Sequence, residues 1–200
     1  MDVLSNLFGS EPKVKIMRLF LFNPHAAMDA KEIASRTKIR SALARKELRQ
    51  LEKAKLIKRR SFRVKGKRVS GWILNPDFPY LSSLQSLLIN FTSLRQENVL
   101  KKLNKIGRLR EVVLAGVFIQ DWDSRADMLV VADRIRKRSL ESTIARLEAE
   151  IGKEIKYVAL ETPEFQYRYN MGDKLLRDII DYPHQVALDK SGLLSQNSGL

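Results

Sequence analysis

The feature that most restricts the fold is a pair of strand-like runs, IKRRSFRV at 57–64 and RVSGWILN at 68–75, on either side of Lys65-Gly66-Lys67. Gly66 allows the tight turn of an antiparallel hairpin. What precedes the hairpin reads as helix. PKVKIMRLFLFNP is apolar at 14, 16, 17 and 19–22, which predicts a buried first helix stopped by Asn23-Pro24. In MDAKEIASRTKIR, Asp29 is a suitable N-cap and Glu32 stands three residues later, as in a capping box. Ile33 and Ala34 then face inward, and this second helix should end near Arg36. SALARKELRQLEKAKLI predicts a third helix, capped by Ser41, with a buried stripe of Ala44, Leu48 and Leu51. Ser41, Ala42, Arg45, Lys46 and Arg49 fall on its exposed faces.

Charge is distributed as unevenly as structure. The net charge is +14; residues 1–80 hold 19 Lys+Arg and 7 Asp+Glu, and residues 81–200 hold 18 and 16. From 38 to 68 there are 14 Lys+Arg against two acids, Glu47 and Glu52. Such asymmetry suggests a part that meets a polyanion, joined to one that does not. The chain has no cysteine and two distant histidines, His25 and His184, which argues against disulfides and a structural zinc site. No apolar run approaches the roughly 20 residues that span a bilayer. MDVLSNLFGS lacks the basic start and long apolar core of a signal peptide, so a soluble cytoplasmic protein is expected.

Three helices followed by a basic hairpin make a winged helix-turn-helix. KEIASRTKI, then ARKELRQLEKAKLIKRR, closely resembles the small prokaryotic transcriptional regulators of that fold. Two positions depart from the family: Lys38 in the turn and Lys55 after the third helix stand where it usually has glycine. The fold implies a third helix that enters the major groove of double-stranded DNA with its N-terminal half against base edges. Arg45, Lys46 and Arg49 are placed for this, with Arg40 and Ser41 at the entrance, and Lys38 is an extra cation compatible with phosphate contact. Arg63, Lys65, Lys67 and Arg68 on the wing are placed for phosphates or the minor groove. The rival reading is a solvated basic helix in a protein-interaction module.

After Asn75-Pro76 and Phe78-Pro79, YLSSLQSLLINFTSLRQENVLKKLNKI reads as one long helix. Leu81, Leu84, Leu88, Phe91 and Leu94 form a stripe, with Val99, Leu103 and Ile106 further on. It is either a packed linking helix or the dimerisation helix of a reader of two-fold operators.

The last part alternates. REVVLAGVF, ADMLVVAD and EIKYVALE read as strands, and RSLESTIARLEAEIG as a helix buried through Leu140, Ile144, Leu147 and Ile151. TPEFQYRYNMGDKLLRDIIDYP reads as mostly helix, and HQVALD as a short final strand. LAGVF, the loop into SRADMLVV and the tail YVALETPEFQYRYNMGDKLLRDIIDYPHQVAL resemble the minimal nucleotidyltransferase domain of the DNA polymerase beta superfamily, over about residues 107–190. Active members carry Gly-Ser after the first strand and two aspartates one residue apart on the second. A third carboxylate completes their two-magnesium site. The glycine matches Gly116, but the serine falls on Val117. The second aspartate matches Asp127, and the first falls on Arg125, whose guanidinium is expected to pair with Asp127. The third carboxylate falls near Lys156 or Tyr157, neither acidic. Asp121 and Asp123 read as turn formers in the loop, and Phe118 and Trp122 as apolar contacts for a partner or small ligand.

The expectation is a two-domain α+β and α/β protein: a winged helix-turn-helix over 1–78, a linking or dimerisation helix over 79–106, a nucleotidyltransferase-like domain over 107–190 and a flexible tail over 191–200. Its expected role is a sequence-specific double-stranded DNA-binding transcriptional regulator. It should form a homodimer, need no cofactor and touch no membrane. Its second domain would be catalytically inactive and serve oligomerisation, ligand sensing or partner binding. The alternatives are an active nucleotidyltransferase, which needs magnesium, and an antitoxin-like interaction protein.

Overall fold

A computed structural model describes residues 3–90 and 96–194. The chain is a mixed α+β fold with one two-stranded and one four-stranded sheet. It separates into two compact units, Met1–Thr92 with Ala145–Glu154, and Ser93–Ile144 with Ile155–Leu200.

In the first unit, α1 (Val3–Leu7) precedes α2 (Glu11–Phe22), which starts at Ser10: the hydroxyl accepts from the Lys13 amide at 3.2 Å. Asn23 ends α2, donating its N–H to the Phe20 carbonyl and its side-chain amide to that of Leu19 at 2.7 Å. α3 (Ala30–Thr37) is capped by Asp29, which accepts from the Glu32 amide at 2.8 Å. The Glu32 carboxylate faces Arg36, 3.9 Å away. α3 closes on Lys38 in the left-handed conformation, φ 55° and ψ 35°. α4 (Ser41–Lys53) differs from expectation at its start. Arg40 occupies the N-cap position without a side-chain cap bond, so Ser41 is the first helical residue and caps nothing. Lys55 follows α4 at φ 62°. Ile16, Phe20, Met28, Ile33, Leu48 and Ile57 are fully buried in the core these helices share.

Strands β1 (Ile57–Val64) and β2 (Lys67–Leu74) pair from Ile57↔Leu74 to Val64↔Lys67. The turn is therefore the two residues Lys65 (φ 47°) and Gly66 (φ 81°), and Lys67 belongs to the strand. Two positive φ values are the signature of the primed turn that matches strand twist. The hairpin is held by a bridge in which Met28 and Trp72 exchange N–H···O bonds, both 2.9 Å. Gly71 makes this approach possible, since a Cβ there would lie 2.2 Å from the Met28 carbonyl oxygen.

The middle segment is helical as α5 (Leu81–Gln85), continues as a π-helical turn over Ser86–Asn90, and is helical again as α6 (Gln96–Leu103). Phe91 and Leu94 lie outside the described residues. Leu88 is buried in the first core with Leu81 and Leu84 against it, and Val99, Leu103 and Ile106 are also buried.

The second unit is built on β3 (Arg108–Leu114), β4 (Met128–Asp133), β5 (Tyr157–Glu161) and β6 (Gln185–Asp189), in the order β5-β4-β3-β6. β3 is antiparallel to β4 and β6, and β4 is parallel to β5. Met128 to Ala132 are all buried, as a central strand covered on both faces requires. α7 (Lys137–Ile151) leads from β4, and its last turns from Ala145 onward group with the first unit. The stretch expected to be mostly helix is two helices, α8 (Thr162–Asn170) and α9 (Lys174–Ile180). Gly172 at φ 63° breaks it, and Asp173 caps α9 by accepting from the Leu175 and Leu176 amides. The expected flexible tail is packed at its start: Leu194 is buried, and the Tyr169 hydroxyl donates to the Leu193 carbonyl at 3.0 Å. Residues 195–200 lie outside the described residues. No helix among the described residues is long and apolar enough to cross a membrane.

Candidate nucleic-acid interface and aspartate loop

Helical spacing puts Ser41, Arg45, Arg49 and Lys53 in one row on α4, with Lys46 beside it, all exposed. The two acids of this region do not offset them. Glu47 is 4% exposed and turned inward, where it accepts from the Ser10 hydroxyl at 2.8 Å and meets the Lys13 ammonium at 3.8 Å. Glu52 is held by the Trp72 indole N–H at 2.9 Å and the Arg59 guanidinium at 3.0 Å, and these two donors lower its pKa. Arg59 also lies over the Trp72 ring, 4.0 Å from its centroid. Among the described residues, no ion pair engages Lys38, Arg40, Arg45, Lys46, Arg49, Arg63, Lys65 or Lys67.

That arrangement opposes helix stability. Arg45 and Arg49, and Arg49 and Lys53, are like charges four residues apart, each pair destabilising by about 0.2–0.5 kcal/mol. The first turn of α4 contains no acid, and a cation sits at its N-cap, where the helix dipole favours an anion. A polyanion relieves both strains.

The hairpin cations do not share a face. Alternation puts Arg63 and Arg68, which are directly paired, on the side of Arg59 and Trp72. Lys67 is on the opposite side with Arg60, an exposed cation that sequence reasoning passed over, and Lys65 is at the tip. Arg68 donates to the Ser61 hydroxyl at 2.8 Å.

The aspartate loop has a different logic. Gly116 (φ 51°) opens a single 3-10 turn, Gly116–Phe118, after β3. Asp127 is 4% exposed, and both its carboxylate oxygens are taken. Oδ1 accepts from the Val117 amide at 2.8 Å and Oδ2 from the Lys156 amide at 2.8 Å. The Asp127 backbone also accepts from the Ala115 amide at 2.8 Å and donates to the Lys156 carbonyl at 2.7 Å. A Cβ on Gly116 would lie 2.1 Å from Oδ1. Asp127 thus fastens the turn after β3 to the residue before β5. The backbone amide at Val117 is given to Asp127.

Arg125 does not pair with Asp127, contrary to expectation. Its guanidinium lies 2.6 Å from Asp178 Oδ2 on α9, because Asp127 points inward and is already satisfied while Arg125 is exposed. Lys156 and Tyr157 meet the second strand at Asp127 and Met128, so the position of a third ligand holds no carboxylate. Asp121 and Asp123 shape the loop: the Asp121 side chain accepts from the Asp123 amide at 3.3 Å, and the Asp121 amide donates to the Gly116 carbonyl at 2.9 Å. Trp122 is exposed and Phe118 half-buried. No three His, Asp or Glu side chains converge among the described residues.

Two further carboxylates belong to the same sheet. The Thr162 hydroxyl, and then Arg110 at 2.7 Å, hold the Asp133 carboxyl below its usual pKa. Burial pushes the Glu111 carboxyl up, partly opposed by a hydrogen bond with Ser191. The chain matches no family model, no curated protein and no solved structure.

Proposed function

We propose that the chain is a double-stranded DNA-binding transcriptional regulator whose first unit is a winged helix-turn-helix. The observation that carries this is the unpaired cationic row of α4, kept unpaired because Glu47 is buried and Glu52 is engaged by Trp72 and Arg59. A helix presents side chains of this kind to the major groove, and an adjoining basic hairpin meets phosphates. Two-fold operators favour a homodimer. Leu88, Val99, Leu103 and Ile106 are buried within the protomer, so these four side chains are already used in its own packing.

The second unit, in this proposal, is an inactive nucleotidyltransferase-like domain. Its residues do not fit two magnesium ions: both Asp127 oxygens accept backbone amides, Arg125 is a cation paired with Asp178, and Lys156 and Tyr157 supply no carboxylate. Exposed Trp122, Tyr167, Met171 and Tyr182 favour a role in binding a protein partner or small ligand. Selection of bound fragments from the source genome tests the reading and finds the operator together. The Arg45→Ala, Arg49→Ala double variant should lose about 1–3 kcal/mol of operator affinity for each arginine that reads a base. Undiminished, salt-insensitive binding by that variant overturns the assignment of α4.

A further inference from the structure

The near-neutral charge of residues 81–200 conceals a segregation. Segments 101–110 and 134–138 hold nine Lys+Arg and no acid, which leaves nine cations and all 16 acids on the rest of that stretch. The fold joins the two segments. The Arg136 amide donates to the Ile106 carbonyl at 2.8 Å. The Arg136 guanidinium and the Ser139 hydroxyl both donate to the Lys105 carbonyl, at 2.5 and 2.9 Å. Gly107 permits the approach, since a Cβ there would lie 2.8 Å from the Asp133 carbonyl oxygen. Lys101, Lys105, Arg108, Arg134, Lys137 and Arg138 are exposed and, among the described residues, make no ion pair.

Local structure does not explain this cluster. Lysine at the end of α6 suits a helix C-terminus, but Lys137 and Arg138 stand in the first turn of α7, where the dipole disfavours cations and no acid accompanies them. Arg134 is held at φ 57°, a conformation that disfavours any side chain, by the Glu161 carboxylate. Glu161 accepts from the Arg134 and Ile135 amides, both at 2.8 Å. The loop's backbone donors are therefore occupied, and what it displays is side-chain charge.

We infer that segments 101–108 and 134–138 of the second unit form a phosphate-binding surface for duplex DNA, made of residues other than those of α4 and the hairpin. The identity of the polymer rests on the function proposed above. The exposed aromatics among the described residues, Tyr80, Trp122, Tyr157, Tyr167 and Tyr182, all lie outside these segments, so the segments themselves supply no ring for stacking single-stranded bases. Long cationic side chains without such anchors meet phosphates and read no sequence.

The test uses the whole chain and a mixed-sequence duplex, with binding measured across a salt series. The variant is Lys105→Ala, Arg134→Gly, Lys137→Ala, Arg138→Ala. All four positions are exposed, and the glycine suits the left-handed backbone. The slope of log affinity against log salt should become shallower by about 0.9 for each phosphate no longer neutralised, roughly 3–4 in all. An Arg146→Ala, Lys174→Ala, Arg177→Ala, Lys190→Ala variant removes as much charge elsewhere and should keep the wild-type slope. Lys137→Glu, Arg138→Glu, with an unchanged unfolding midpoint, should weaken binding further and so separates charge from misfolding. An unchanged slope in the fourfold variant overturns the inference, and so does an equal loss in the control. The Arg45→Ala, Arg49→Ala variant reports separately on α4: its operator affinity can fall while the slope of the fourfold variant stays at the wild-type value, or the reverse.

Discussion

Replacing Asp127 with alanine tests whether its carboxylate is a structural fastener. The substitution removes two hydrogen bonds from backbone amides to a charged acceptor, at Val117 and Lys156, both 2.8 Å. Each such bond contributes about 1.5–3 kcal/mol. The Val117 amide is left inside the protein, whereas the exposed Lys156 lets water reach its amide, so the second loss lies at the low end. The expected destabilisation is about 3–4 kcal/mol. Asp127→Asn keeps one acceptor and turns an NH2 against the other amide, costing about 2 kcal/mol. Gly116→Ala should do similar harm, because its Cβ would stand 2.1 Å from Oδ1 and its φ of 51° disfavours a side chain. Urea unfolding gives the stability change, and hydrogen exchange gives the fate of the two amides, which should lose protection together in Asp127→Ala. If Asp127→Ala stays within about 1 kcal/mol of the wild type and both amides remain protected, the fastener reasoning is wrong. Magnesium-dependent nucleotidyl transfer, abolished by Asp127→Ala without loss of stability, would return the residue to catalysis.

Other substitutions probe separate parts of the chain. Lys55→Gly should raise stability by up to about 1 kcal/mol in urea unfolding, because φ is 62° there. Lys38→Gly should stabilise similarly while weakening DNA binding at low salt, which separates strain from phosphate binding. Glu111→Gln should stabilise the protein at neutral pH. The wild-type carboxyl is raised above 4.5 by burial, so its folded form loses stability as pH rises from 4.5 through the raised value. The advantage of glutamine should therefore vanish below pH 4.5, and a constant advantage across the titration contradicts this. Asp133 works the other way: its carboxyl lies below 3.8, and its stabilisation is present above 3.8 and lost as pH falls through the folded value. Thr162→Val should move the acid-unfolding midpoint up, and an unmoved midpoint removes the hydroxyl from the account.

Much of the secondary structure was legible because its causes are local. The periodicity of α2 and α4, the Asp29 cap and the turn at Gly66 depend on residues a few positions apart. The cap of α4 was misread because Ser41 is a good cap by type, while the backbone places Arg40 there. The candidate sites divide in the same way. The exposed row Arg45–Arg49 follows from helical spacing alone, but its lack of partners depends on Glu47 meeting Ser10 and Lys13, 37 and 34 residues away.

By itself the sequence determined the pattern of elements, the basic first part and the absence of a full set of acidic positions in the aspartate loop. Tertiary structure decided what the remaining charges do. Asp127 is bound by amides 10 and 29 residues away, and Arg125 by a carboxylate 53 residues away. Two separate basic segments become one surface through bonds that Arg136 and Ser139 make to Lys105, 31 and 34 residues back along the chain. Backbone preference and periodicity act within a turn or two of chain. A charge is defined by whatever donors and acceptors the fold brings within about 3 Å of it, and those come from anywhere in the sequence.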